Sequence, residues 1–198
     1  MSSESSYHDA VPGWMAPADG FTAEEFLALR DLPRHTELID GGLVLVAAQR
    51  NFHMAAIDFL AHELRRQSTT GLRVGHEMAV RLSARTVLEP DVLVLSGDRS
   101  GDPDSVIFEA ADVLLAVEVE SPDSVERDRD TKPHKYAGAG IEHYWRVAQD
   151  DGSMPVVHTY HRGAEGRYVR TGVHHDQLQL TQPFPITIDL AQLADYLL

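Results

Sequence analysis

Apolar residues recur along this chain mostly in short runs or at every second position, a pattern that predicts β-strands. Residues 77–82 alternate polar and apolar side chains, as expected for a half-buried strand. Residues 92–95 and 113–117 are continuous apolar runs, which are typical of fully buried strands. Two short runs flank Asp-Gly-Gly within 37–46, a strong hairpin signal. Residues 155–188 have the pattern of an antiparallel β meander with glycine-containing turns.

Four stretches carry helical signals instead. Residues 22–25 form a capping-box pattern, Thr-Ala-Glu-Glu, which predicts the start of a short helix. Residues 51–67 place their large apolar side chains on one helical stripe. Residues 123–139 are charged and then helical, with Pro133 either at the first helical position or at a kink. A last short helix is expected at 190–197.

The length and composition favour one folded domain. The chain has 198 residues, of which 43% are hydrophobic, enough for a core and against global disorder. Residues 1–18 are rich in Ser, Pro, Gly and Ala and are expected to form a flexible tail, with a single domain over 19–198. The absence of cysteine excludes a disulfide scaffold, a cysteine nucleophile and thiolate metal sites. It also fits a reducing cytoplasm, where we expect the protein to be.

Charge and hydropathy limit the partners. Lys and Arg number 17 against 31 Asp and Glu, so the formal net charge is 17 − 31 = −14. Such a chain is not expected to coat DNA, because nonspecific binding relies on Lys and Arg releasing counterions. Any nucleic-acid contact should be local, bridged by metal ions or built by an oligomer. No apolar run approaches the roughly 20 residues that span a bilayer, and the N-terminus lacks the features of a secretory signal, so no membrane partner is expected.

Acidic residues occupy costly positions in two of the predicted strands. Asp91 opens one apolar strand, and Glu118 interrupts another. A lone buried carboxylate costs several kcal/mol or changes its protonation, so it needs a partner. Glu118 and Glu120 should share a sheet face, where their charges repel each other. A divalent cation such as Mg²⁺, which prefers oxygen ligands, would relieve that repulsion. Ion pairs with Lys or Arg, and a plain turn at Asp91, are the alternatives.

Six motifs, in a fixed order, are more informative than any single acid. They are Glu37-Leu38-Ile39-Asp40-Gly41, Pro90-Asp91-Val92-Leu93-Val94, Val117-Glu118-Val119-Glu120-Ser121-Pro122, Asp128-Arg129-Asp130-Thr131-Lys132, Tyr136, and Gly140-Ile141-Glu142-His143-Tyr144-Trp145. Together they resemble the Uma-type restriction endonuclease family of the PD-(D/E)XK nuclease-like superfamily. The resemblance runs from about Phe21 to about Leu193.

The resemblance implies an α/β (α+β) fold of the restriction-endonuclease-like type, with a mixed sheet flanked by helices. It also implies a metal-dependent phosphodiesterase site at the sheet edge. Asp91 and Glu118 match the two motif acids, and Glu37 matches an acid contributed earlier in the chain. The lysine that usually stands two residues after the second acid is missing, because Glu120 occupies that position. In this family the lysine is displaced to the following helix, which implies Lys132.

The function implied is Mg²⁺-dependent (or Mn²⁺-dependent) hydrolysis of phosphodiester bonds in DNA. Asp91, Glu118 and Glu120 are the candidate metal ligands, Lys132 would orient or deprotonate the attacking water, and Glu37 would hold water or a second metal. A homodimer is expected, because two sites would cut two strands. Two other interpretations remain: a catalytically lapsed nuclease-like module that binds protein or nucleic acid, and a structural β-rich oligomer.

Other polar residues near these motifs are weaker candidates. Tyr136 follows Lys132 by four positions, so a helix would place both on one face, and we expect Tyr136 to pack and hydrogen-bond rather than touch substrate. His53 lies off the apolar stripe of its helix, and an exposed structural role is favoured over a phosphate contact. Asp128 is a further candidate for contact with substrate or for support of the site.

The histidines of the C-terminal half give little evidence for a transition-metal site. His174 and His175 are adjacent, and adjacent strand residues point to opposite faces, so they cannot easily share one ion. His158 and His161 are expected to belong to a half-exposed strand. No glycine-rich phosphate loop and no Gly-x-Ser-x-Gly elbow is present, which disfavours NTP hydrolysis and serine-esterase chemistry.

Overall fold

The architecture was obtained as a computed structural model that describes residues 17–46, 49–97, 104–122, 124–150 and 154–197. The predicted tail falls outside these ranges up to residue 16. The helices are α1 (Ala23–Ala28), α2 (Asn51–Gln67) and α3 (Lys132–Gly138), with a π-helical turn at Arg127–Thr131 and 3₁₀ turns at Ala110–Asp112 and Leu190–Tyr196. No helix within the described ranges combines the length and apolar character needed to cross a membrane.

The strands of the described ranges form two mixed sheets and a hairpin. In chain order they are β1 (Thr36–Ile39), β2 (Gly42–Leu45), β3 (Leu72–His76), β4 (Ala79–Ser83), β5 (Thr86–Leu88), β6 (Val92–Ser96), β7 (Ile107–Glu109), β8 (Val113–Val119), β9 (His143–Gln149), β10 (Pro155–Arg162), β11 (Tyr168–His174), β12 (Gln177–Leu180) and β13 (Ile186–Asp189). The large sheet has the order β11-β10-β9-β8-β6-β3, and the small sheet has the order β2-β1-β5-β4-β7.

Both sheets are antiparallel except at one pair each. Strand β8 runs parallel to β9 in the large sheet, and β4 runs parallel to β7 in the small one. Helix α3 lies in the connection between β8 and β9, as a parallel pair requires a crossover. The mixed sheet core flanked by helices is therefore confirmed.

Helix α2 covers one face of the large sheet. Its apolar side chains, among them Phe59 and Leu60, share a core with Val117 of β8 and Trp145 of β9. Complete burial of each such side chain contributes roughly 1.5–3 kcal/mol. The opposite face packs against α3 and the small sheet, with Tyr136 and Tyr144 fully buried there. The large sheet is thus buried on both faces, which explains the continuous apolar runs.

Local signals set several element boundaries as predicted. Thr22 caps α1, and its side chain and that of Glu25 bond reciprocally to each other's backbone amides. The hairpin turn between β1 and β2 is formed by Asp40 and Gly41, which have φ values of 51° and 89°. Two positive φ values are characteristic of a type I′ turn, which suits the twist of the flanking strands.

The C-terminal strands are antiparallel, as predicted for a meander, and they divide between two sheets. Strands β10 and β11 extend the large sheet, whereas β12 and β13 pair only with each other. Their apolar residues, including Leu178, Ile186 and Ile188, join the α2 core instead. Pro133 lies in the first turn of α3, directly after the π-helical turn, consistent with its missing amide donor.

Candidate active site

A small acidic pocket of about 40 Å³ lies where the large sheet meets β1 of the small sheet. Residues from β1, α2, the start of β6, the end of β8 and the segment around α3 line it. Its titratable side chains are Glu37, Glu77, Glu89, Asp91, Glu118, Asp128, Lys132, His35 and His53. Six carboxylates and one lysine therefore line a space of only about 40 Å³.

Asp91 is fixed at the start of β6 by two contacts. Its Oδ2 accepts a hydrogen bond of 2.6 Å from the backbone amide of Val119, at the end of β8. Its Oδ1 lies 3.0 Å from Nε2 of His53 on α2. The neighbouring strand and the helix thus hold the carboxylate in one orientation toward the pocket.

His53 is buried, so the expectation of an exposed side chain was wrong. It lies off the apolar stripe, yet its ring is drawn inward to the Asp91 carboxylate. Burial lowers the pKa of His53, but the hydrogen bond and charge of Asp91 outweigh this and raise the pKa above its usual value. The raised pKa favours the protonated form of His53, which donates to Asp91 as a charged ring.

Glu118 is held from α3 by two donors. The amine of Lys132 lies 2.9 Å from its Oε2, and the hydroxyl of Tyr136 donates a 2.6 Å hydrogen bond to its Oε1. Lys132 and Tyr136 are one helical turn apart and face the same way, as their spacing predicts. Burial raises the pKa of Tyr136 well above its ordinary value, so the phenol stays protonated and remains a donor.

Lys132 is shared among three carboxylates. Besides Glu118, its Nζ lies 3.1 Å from Oε1 of Glu37 and 3.7 Å from Oδ1 of Asp128. Only 5% of Lys132 is exposed. Burial alone would lower the pKa of this amine, but Glu118, Glu37 and Asp128 together hold it well above its usual range. Lys132 is therefore a charged donor.

The pocket has more carboxylates than cations. Burial raises the pKa of Glu118 well above its ordinary value, against the opposing effect of Lys132. Burial likewise raises the pKa of Asp128 to about 6. Two buried oxygens, Oε2 of Glu37 and Oδ1 of Asp128, have no hydrogen-bond partner among the described residues. The donor set therefore fits an additional cation that prefers oxygen ligands.

Glu120 does not join this pocket. Its carboxylate binds the guanidinium of Arg129 at 2.7 and 3.1 Å and that of Arg146 on β9. Burial would raise the pKa of Glu120, but these two arginines lower it. Glu120 lines a separate pocket of about 280 Å³ next to the first. Lys132 pairs with Glu118, whereas Arg129 and Arg146 pair with Glu120, so the expected repulsion between the two acids is relieved.

The structure brings together most of the predicted site residues. Those in the acidic cluster or in direct contact with it are Glu37, His53, Asp91, Glu118, Asp128, Lys132 and Tyr136. Two acids in the pocket were not predicted. Glu89 directly precedes the Pro-Asp motif, so its position in the sequence was a signal that could have identified it. Its backbone amide donates a hydrogen bond to Oε1 of Glu37. Glu77 lies in the β3–β4 turn, where no motif marks it.

The fold is a nuclease-like mixed α+β fold. The chain belongs to the Uma2 family, described as "Putative restriction endonuclease", whose sequence model matches residues 23–192. The fold is similar to the crystal structure of a protein described as a putative nuclease of DUF820 from Anabaena variabilis. That match has a TM-score of 0.70 and 19% identity, and covers 90% of this chain and 99% of the other. No curated protein matches the sequence.

Proposed function

We propose that this protein is a metal-dependent endonuclease that hydrolyses phosphodiester bonds of DNA. The observation that carries the proposal is the position of the Lys132 amine, beside Glu118 and in the same pocket as Asp91. Two acids and one lysine are the three motif positions of the superfamily that the sequence resembles. Lys132, at the start of α3, would take the place of the lysine that is absent from the strand.

Asp91 and Glu118 are the side chains that would hold Mg²⁺ or Mn²⁺, with Asp128 and Glu37 nearby. The fit of the pocket to such an ion rests on its surplus of carboxylates and on the unpartnered buried oxygens of Glu37 and Asp128. When bound, such an ion polarises the phosphoryl oxygen and lowers the pKa of a coordinated water. Glu120 is left out of this ligand set, because it lines the neighbouring pocket and pairs there with two arginines.

The remaining side chains would orient the reacting groups. Lys132 is charged, so we assign it to orienting the attacking water and stabilising negative charge on the phosphate, rather than to taking up a proton. Tyr136 holds Glu118, and His53 holds Asp91, through the hydrogen bonds described above. Both are positioning residues.

The substrate is expected to bind locally. The net charge of −14 disfavours extended electrostatic contact with a nucleic-acid backbone. Arg50 and Arg129 line the pocket adjoining the acidic one, next to Phe52, and offer phosphate contacts close to the site. We further propose a homodimer, because two sites would cut two strands. Light scattering should then return twice 21.9 kDa, and a particle of 21.9 kDa would contradict the dimer.

Plasmid cleavage tests the proposal. Supercoiled DNA is incubated with the protein and Mg²⁺, Mn²⁺ or EDTA, and a labelled RNA of the same length as a linear DNA is run in parallel. The wild type should nick DNA only with a metal ion. Asp91→Asn and Glu118→Gln should reduce the rate at least about 100-fold, since each removes a charge that acts at the reacting phosphate.

Asp130→Asn is the matched control, because Asp130 is an exposed carboxylate on the same π-helical turn as Asp128. It should keep full activity. Full activity of Asp91→Asn would overturn the mechanism. A folded wild type that neither cleaves nucleic acid nor binds metal would instead support the lapsed binding module.

A further inference from the structure

A second group of side chains of metal-ligating types lies around His143, on the other face of the large sheet. His143 begins β9 and shares its face with Trp145, which packs toward α2. Tyr144 points the opposite way, as does Glu118 of the neighbouring strand. The pocket beside His143 holds about 180 Å³, and none of the residues lining it lines the acidic pocket.

Strand register places two imidazoles directly opposite each other. His143 on β9 pairs with His161 on β10. The next pair along these strands, Arg162 and Glu142, is hydrogen-bonded, because the backbone amide of Arg162 donates to the carbonyl of Glu142 at 2.8 Å. The His143–His161 pair is therefore of the non-hydrogen-bonded kind, in which side chains approach most closely. The ring centroids are 5.0 Å apart at an interplanar angle of 63°.

A carboxylate completes a set of three ligands. One ligand atom each from Glu142, His143 and His161 can be chosen so that all lie within 4.8 Å of one another. Small side-chain rotations would bring these atoms to the 2.0–2.2 Å bond lengths of zinc complexes. Sequence reasoning missed this group, because His143 and His161 are far apart in the chain and only the β9–β10 register joins them.

The state of His143 points independently to a ligand. The residue is 7% exposed and lines the pocket, yet its ring has no hydrogen bond to any described residue. An imidazole that lines an open pocket without a protein partner is available to a ligand from outside the chain.

We propose that Glu142, His143 and His161 form a transition-metal site that links β9 to β10. Two imidazoles and one carboxylate suit Zn²⁺ or a similar ion, whereas an all-oxygen pocket suits Mg²⁺ or Mn²⁺. Three protein ligands leave a fourth position for water or an outside group. The protein would therefore hold two kinds of metal on opposite faces of one sheet. This proposal does not depend on the nuclease activity.

Zinc titration of the full chain tests the site. Calorimetry and thermal unfolding are measured with Zn²⁺ for the wild type, His161→Gln and His175→Gln. His175 is an exposed histidine in the β11–β12 turn, so it is the matched control. Zinc bound elsewhere, including in the acidic pocket, is common to all three proteins, and the difference between the two variants reports this site.

The wild type and His175→Gln should bind Zn²⁺ here and gain about 5–10 °C in Tm at a hundredfold excess over Kd. His161→Gln and Glu142→Gln should each weaken that binding by about 10–100-fold. Anomalous diffraction at the zinc edge should place the ion between His143 and His161. Equal zinc affinity in His161→Gln and His175→Gln, or no zinc peak at His143, would overturn the proposal.

Discussion

The amine of Lys132 lies 2.9 Å from Oε2 of Glu118, although the two residues are 14 positions apart in the chain. The position two residues after Glu118, where a strand lysine would stand, holds Glu120 instead. A π-helical turn and the start of α3 carry the lysine back to the same carboxylate. This contact is the basis for our proposal that Lys132 takes the place of the missing strand lysine.

Loss of the lysine charge should destabilise the fold. Lys132→Met keeps most of the stem but leaves Glu118 and Glu37 without their cation. An uncompensated buried charge costs about 3–5 kcal/mol, so the free energy of unfolding at pH 8 should fall by about that amount. The loss should shrink near pH 5, because the carboxylates can then protonate. Urea denaturation at both pH values measures it.

Lys135→Met is the control for this substitution. Lys135 is on the same helix and pairs with the exposed Asp40, so its loss should cost less than about 1 kcal/mol. Equal losses for the two variants would contradict the view that Lys132 neutralises a buried acidic cluster.

Asp128 should make stability depend on pH. Its pKa is raised from 3.8 to about 6 in the folded state, chiefly by burial. Because the folded state binds the Asp128 proton more tightly than the unfolded state, protonation stabilises the fold. This contribution is complete below about pH 4 and is lost as the pH rises through 6. Asp128→Asn, which cannot ionise, should therefore gain stability relative to the wild type between pH 4 and 7.5, on the order of 1–3 kcal/mol.

Thermal or urea unfolding across that pH range checks the effect. Asp130→Asn, on the exposed side of the same turn, should follow the wild-type profile. Parallel profiles for wild type and Asp128→Asn would show that Asp128 is not held at a raised pKa.

Much of the fold followed from local sequence signals. The capping box at Thr22, the Asp40-Gly41 turn and the apolar stripe of α2 each depend on residues close together in the chain. The buried strands around Asp91 and Glu118 were equally visible, because a sheet covered on both faces needs continuous apolar runs. These features were predicted and confirmed.

Long-range placement could not be predicted in the same way. Glu120 is neutralised by Arg146, which depends on the parallel register of β8 and β9. His53 appeared exposed because it lies off the apolar stripe, and only the position of Asp91 explains its burial. The departure of β12 and β13 from the large sheet likewise reflects packing against α2, which no local pattern encodes.

Glu120 should prove dispensable for catalysis. Glu120 lies outside the acidic pocket and pairs with two arginines, so Glu120→Gln should keep metal-dependent cleavage within about tenfold, whereas Glu118→Gln should lose at least about 100-fold. Plasmid nicking with Mg²⁺ compares the two variants directly. A comparable loss in both would mean that Glu120 reaches the metal after all.

Tyr136 should act on activity through Glu118. Tyr136→Phe removes the hydroxyl that donates to Oε1, and a hydrogen bond to a charged group is worth about 1.5–3 kcal/mol, so kcat/KM should fall roughly 10–100-fold. Losing a donor to the ionised form raises a carboxyl pKa, so the acid limb of the pH–rate profile should move to higher pH.

Tyr168→Phe is the control, because it loses a hydroxyl that donates to the carbonyl of Ile141 outside the pocket. It should leave both the rate and the pH profile unchanged. An unshifted acid limb in Tyr136→Phe would remove Tyr136 from the list of positioning residues.

The most direct test of the site is anomalous diffraction from crystals of the full chain soaked in Mn²⁺. The account predicts a manganese peak bound by the carboxylates of Asp91 and Glu118, with the amine of Lys132 still in the same pocket. A crystal at saturating Mn²⁺ with no peak at these acids, and with Lys132 unchanged on Glu118, would contradict it. The pocket would then be a buried ion-pair cluster rather than a metal-dependent active site.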